Sequence, residues 1–167
     1  MPRRVLAVAG IVLSLPLTAA PSVAAGMQPK AIAAAFCVTR LDGDDEGVRA
    51  LLAPSLLAEI VEAEDRNLAA AQAAPDGKPP FADGIPYQSF PDLPDGCIAG
   101  NAEPAGDGFH VPVTYSFEGS PNAGWTDRLV LVGDGTSFLI EDIVFRGAPD
   151  AWKVPTLRNV LRDAFDR

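Results

Sequence analysis

The feature that most constrains this chain is a proline-laced stretch over residues 75–94, where Pro75, Pro79, Pro80, Pro86, Pro91 and Pro94 are joined by Gly84. Proline lacks a backbone N–H and fixes φ, so this stretch can be neither regular helix nor central strand. It separates two halves with different hydrophobic periods. Before it, apolar residues recur every three or four positions; after Cys97 they alternate. The chain therefore builds helices first and strands second, joined by one long loop, and long ordered loops in compact domains tend to carry function.

Pro29 can open a first helix, in which Ala33, Phe36, Cys37, Arg40 and Leu41 recur at helical spacing until Asp42-Gly43 ends it. Asp44, Asp45 and Glu46 supply the cap and first-turn acids of a second helix, whose Val48, Leu51 and Leu52 point to the core. Pro54 restarts the chain into a third. Its stripe runs through Leu56, Leu57, Ile60, Val61 and Glu64, then Asn67 and Leu68. Downstream, Phe109, Val111, Val113, Tyr115 and Phe117 share one strand face, and His110, Pro112, Thr114 and Ser116 the other. Pro112 cannot donate to a ladder, which predicts a bulge or an edge there. A strand over 125–132 turns at Gly133-Asp134-Gly135 into another over 138–145. A last helix, opened near Pro155 and Thr156, carries Leu157, Val160, Leu161, Ala164 and Phe165 in register. No internal repeat or domain boundary is visible. The order predicts an α+β fold, with N-terminal helices packed on a curved antiparallel sheet and a C-terminal helix.

At the N-terminus, Arg3 and Arg4 precede an apolar run over 5–17 that Pro16 interrupts. That is shorter than the about 20 apolar residues a membrane helix needs. Small residues at Ser22, Val23, Ala24 and Ala25 suit signal peptidase, so the reading is a signal peptide over 1–25 and a single domain over 26–167. No Cys follows closely enough to be lipidated, so no membrane anchor is expected, and the destination is the periplasm or the exterior. About 140 residues then suffice for one core.

The formal charge is -9, and removal of Arg3 and Arg4 without any acid takes it to -11. An acidic field repels phosphate, which argues against nucleic acid as a partner. A cationic envelope protein is the natural complement, although keeping the protein soluble is the plainer role of the charge. Cys37 and Cys97 are the only cysteines. In an oxidising compartment a disulfide is the leading reading, with two free buried thiols as the alternative.

The helix pair around Leu51-Leu52-Ala53-Pro54-Ser55-Leu56-Leu57, the loop Pro80-Phe81-Ala82-Asp83-Gly84, the strand Val111-Pro112-Val113-Thr114-Tyr115 and the segment Phe138-Leu139-Ile140-Glu141-Asp142-Ile143 resemble a family of small exported NTF2-like domains of unknown function in bacterial envelopes. The resemblance covers most of the chain after the signal and implies a cone-shaped NTF2-like or cystatin-like α+β fold. That fold hosts enzymes, binders and immunity proteins alike.

The chemical inventory is sparse. His110 is the single histidine, on a polar strand face without an obvious acid neighbour, and no hydrolase, P-loop or dinucleotide motif occurs. Asp42-Gly43-Asp44-Asp45-Glu46-Gly47 imitates half a calcium loop, but Ala53 stands where a bidentate Glu is required, and helix capping explains the acids better. No metal and no cofactor is assigned. Alternation places Asp127 with Trp125, Leu129 and Leu131, and Asp142 with Phe138, Ile140 and Val144. A carboxylate on an apolar face is the weak catalytic candidate here, as NTF2-like enzymes use cavity carboxylates. The loop aromatics Phe81, Tyr87 and Phe90 are candidate binding residues, with anchorage of the loop as their plainer role. The resulting expectation is a non-catalytic binding, inhibitor or immunity-type protein. The alternatives are a pocket isomerase or hydrolase using Asp142 or Asp127, and a small-ligand module.

Overall fold

The computed structural model describes residues 28–120, 122–133, 137–145 and 155–166. The predicted signal peptide and the hairpin tip at Asp134-Gly135 lie outside them. The chain forms α1 (Pro29–Asp42), α2 (Asp45–Arg49), α3 (Pro54–Ala73), β1 (Gly96–Ala99), β2 (Glu103–Ala105), β3 (Gly108–Ser116), β4 (Trp125–Gly133), β5 (Phe138–Val144) and α4 (Leu157–Asp163). This is a mixed α+β fold with a curved, five-stranded antiparallel sheet, helices before it and a helix after it. Among the described residues no helix is long and apolar enough to cross a membrane.

Local chemistry sets the helix boundaries. Pro29 occupies the first turn of α1, and Gly43 closes it at φ 65°, with its N–H on the Arg40 carbonyl and the Asp44 N–H on that of Thr39. Only glycine adopts that left-handed conformation at low cost, so the turn into α2 depends on it. Asp44 then caps α2 by accepting from Gly47 N at 2.8 Å. In α3 the buried residues are Leu56, Ile60 and Ala63. The predicted stripe is therefore rotated: Val61 and Leu68 face solvent, and the half-buried Asn67 continues the inner row.

In the sheet β3 is an inner strand, flanked by β4 on one side and by β1 and β2 in succession on the other. The expectation of a bulge or an edge at Pro112 is corrected by this arrangement, since β3 is an inner strand and pairs with β4 in unbroken register through Pro112. The Pro112 carbonyl accepts from Gly100 N at 2.8 Å, so its missing N–H faces the same side, where β1 gives way to β2. Ala99 pairs with Val113 and Glu103 with His110, a change of register by one residue. The irregularity lies between β1 and β2, and Pro112 stands opposite it.

Phe109, Val111, Val113 and Tyr115 of β3 share the helix-facing side of the sheet with Trp125, Asp127, Leu129 and Leu131 of β4. In β5, Val130 pairs with Asp142 but Leu131 pairs with Ile140, which leaves Glu141 as a bulge residue. The bulge reverses the alternation beyond it. Phe138, Ile140, Ile143 and Phe145 are buried, and Asp142 falls on the other side from Ile140. The grouping of Asp142 with Phe138 and Ile140 expected from strict alternation is thereby corrected.

The Cys37 and Cys97 sulfurs are bonded, with Cα atoms 5.3 Å apart, fastening α1 to β1. α4 begins at Thr156, whose hydroxyl accepts from Asn159 N, and buries Leu157 and Leu161. Arg158 fixes it to the body through Glu59 of α3 and Glu141 of β5, and donates to the Glu141 carbonyl at 2.9 Å.

Candidate functional site

The loop over 75–94 does not hang free; side chains bind it down point by point. Asn67 clamps the Phe81 backbone, accepting from its N–H at 2.8 Å and donating to its carbonyl at 3.3 Å. The Phe81 ring is buried and meets Phe165 edge-on at 5.6 Å. Tyr87 is buried with the Arg40 guanidinium 5.8 Å from its ring centre. Burial pushes the Tyr87 hydroxyl up from 10.0 to about 12, with the positive charge of Arg49 pulling the other way.

Gln88 is the hub of the next segment. Its Oε1 accepts from Arg40 Nε at 3.2 Å, while Nε2 donates to the carbonyls of Phe90 and Asp92, each at 2.8 Å. Arg40 is itself buried and paired with Asp45 at 2.9 Å. Ser89 then grips Asp127 of β4 with two donors: its backbone N–H reaches Oδ2 at 2.9 Å and its hydroxyl reaches Oδ1. Trp125 Nε1 adds a third donor, to Oδ2 at 3.1 Å. These bonds explain how a carboxylate only 1% exposed is tolerated, since a buried charge is stable only when paired or hydrogen-bonded. Tyr115 lies close by, its ring stacked on Trp125 at 4.7 Å. Burial, and then the charge of Asp127, raises its hydroxyl above the ordinary tyrosine range.

No family model, curated protein or solved structure matches this chain. Between the C-terminal end of α1 and this loop runs a groove of about 500 Å³, lined by Arg40, Gly43, Asp45, Phe90 and Leu93 and reaching Val160 of α4. A second depression of similar size shares Pro80, Phe81 and Val160 with it and continues to Pro155 and Asp163. Phe90 is 43% exposed and Leu93 54%.

Of the loop aromatics, Phe81 and Tyr87 are core residues and Phe90 stands at the surface, its ring 5.0 Å from that of Trp125. Asp142 lies away from this site: Oδ1 accepts from Ile143 N at 2.8 Å and from Arg158 N at 3.2 Å, holding the start of α4. The two candidate carboxylates thus sit apart, each engaged in joining two elements. His110 pairs in register with Glu103 on β2, an acid neighbour that sequence spacing did not reveal. Sequence reasoning also passed over Gln88 and Ser89. A signal existed for Arg40, a charge at a core position of the α1 stripe.

Proposed function

We propose that this is an exported protein of the periplasm or exterior that binds another protein, through the groove between α1 and the proline-rich loop, without catalysing a reaction. The observation that carries the reading is the pairing of exposed Phe90 and Leu93 with an acidic rim. Asp45 lies in the groove wall, and Asp42, Asp44 and Glu46 are its chain neighbours. The polar groups beneath the loop are engaged in holding it, whereas the apolar side chains above them are left to solvent. Aromatic anchors beside a charged rim suit protein recognition. A basic segment carrying an apolar side chain is the complementary occupant, given the excess of Asp and Glu over Lys and Arg.

The element order, helices then an antiparallel sheet then a helix, and the curvature of the sheet support an NTF2-like cone. The disulfide supports export, because such bonds persist in oxidising compartments. Inhibitor or immunity-type binding is the functional class this reading favours.

The test is affinity capture from an envelope extract, followed by association kinetics with the purified partner. A basic partner whose association slows with rising salt, and whose capture weakens when Phe90 and Leu93 are both replaced by Ala in a folded protein, is the expected result. Turnover of a small molecule that vanishes in Asp142→Asn would overturn the non-enzyme reading.

A further inference from the structure

The two edges of the sheet are finished differently. Beyond β5, Ile140 exchanges backbone bonds with Leu51 and Ala53, and the Phe145 N–H donates to the Pro155 carbonyl. At the other edge, β1 has only β3 beside it. Gly100 N–H donates to the Pro112 carbonyl, and in that register Gly96 and Ile98 turn their backbone groups to β3. Cys97 and Ala99 therefore direct theirs outward, where no other element bonds them among the described residues. None of the four residues of β1 is buried, and none is charged or a proline, the devices that usually blunt an exposed edge. Ile98 is the most exposed large apolar side chain among the described residues, at 70%.

The helix beside this edge is unfinished in the same way. Lys30 donates to Asn101 Oδ1 at 3.2 Å and Cys37 is bonded to Cys97, so α1 runs along β1 in the opposite direction. Lys30, Ala34, Val38 and Leu41 follow at helical spacing on the flank next to Cys37, and all four are exposed. Leu41, expected in the core row, is thus part of an apolar strip that continues the open edge.

We infer that β1 is the pairing edge of a two-fold dimer: it adds antiparallel to β1 of a second copy with the axis at Ile98, joining the two sheets into one. The register is self-complementary. An axis there sets Cys97 against Ala99 of the second copy, so the outward N–H and carbonyl of both residues find partners, and Ile98 meets its own counterpart. Asp95 falls opposite Asn101 of the second copy, the residue that holds the exposed Lys30 ammonium, and symmetry repeats this complementary charge pair. Because α1 runs along β1, the same axis brings the Ala34, Val38 and Leu41 strips together antiparallel. That contact supplies apolar burial that a four-residue strand cannot provide alone. None of Lys30, Ala34, Val38, Leu41, Asp95 and Ile98 lines the groove of the proposed protein partner, so dimerisation and capture stand or fall separately.

Sedimentation of the intact exported protein should show a monomer–dimer equilibrium with a dissociation constant below about 100 μM. Ile98→Lys, Val38→Glu and Lys30→Glu, all at exposed positions, should each weaken it at least about tenfold while the thermal unfolding of the monomer is kept. In Ile98→Cys the facing Cα atoms would stand about 4.5 Å apart, within disulfide reach, so air oxidation should yield a covalent dimer that peptide mapping finds joined at position 98. Where one variant does not fold, the other variants decide. A protein that stays monomeric at that concentration, a folded charge variant that dimerises as before, or a folded Ile98→Cys protein that forms no cross-link overturns the inference.

Discussion

Arg40, near the end of the first helix, donates from Nε to the side chain of Gln88 at 3.2 Å, and both residues are buried. The bond joins the helical half of the chain to the loop that precedes the sheet. Gln88 also holds two loop carbonyls, so one side chain sets the path of the chain from Phe90 to Asp92.

Gln88→Ala leaves the Arg40 Nε–H and two carbonyls without their partner. The expected cost is about 1–3 kcal/mol. Amide exchange should accelerate over residues 88–94 while the amides of β3 and β4 keep their protection. Uniformly faster exchange would mean that the loop and the sheet open together.

The Cys37–Cys97 bond closes a sequence separation of 60 residues. In the chain-entropy model a closure of that length stabilises by about 4 kcal/mol, and the double Cys→Ser variant should lose roughly that in urea unfolding. Thiol titration of the unreduced exported protein should find no free thiol.

Both tyrosines of the chain are buried, and burial raises both hydroxyls. Below pH 10 each is protonated folded or unfolded and stability is unaffected. Above the unfolded value of 10.0 the unfolded chain releases protons that the folded chain retains, so stability falls as pH rises towards about 12, where Tyr87 titrates in place. The tyrosinate absorbance at high pH should therefore appear together with the loss of circular dichroism. Tyrosinate forming near pH 10 in a still-folded protein would contradict the burial.

The helix–loop–strand order was legible because the two hydrophobic periods differ and the prolines between them admit neither helix nor strand. The two faces of β3 were legible too, since its alternation is unbroken from Phe109 to Phe117. Asp142 was not: the bulge at Glu141 arises from how β5 meets β4, and alternation within one strand carries no trace of it. Nor was the Ser89–Asp127 contact. Serine and aspartate are ordinary on a loop and a strand, and only the fold brings together residues 38 positions apart. Arg40 could have been marked, since a charge in an apolar helical row needs a buried partner.

The loop aromatics divide into two classes that mutation should separate. Tyr87 is 1% exposed and sits against Arg40, so Tyr87→Ala opens a cavity and removes that contact. A cost of about 3–5 kcal/mol is expected, by analogy with other large aromatic truncations, with a lower melting temperature. Phe90 rests on Trp125 with nearly half its surface in water. Phe90→Ala should cost less than Tyr87→Ala, because it loses an aromatic pair worth about 0.5–1.5 kcal/mol and only part of a side chain's burial. If the groove is the binding surface, this milder change should nevertheless have the larger effect on partner capture per unit of stability lost. Thermal unfolding and capture measured on both single variants make the comparison. A Phe90→Ala protein that unfolds as readily as Tyr87→Ala would return Phe90 to the core and remove the exposed anchor from the groove. A folded Phe90→Ala protein with undiminished capture would place the contact elsewhere on the surface.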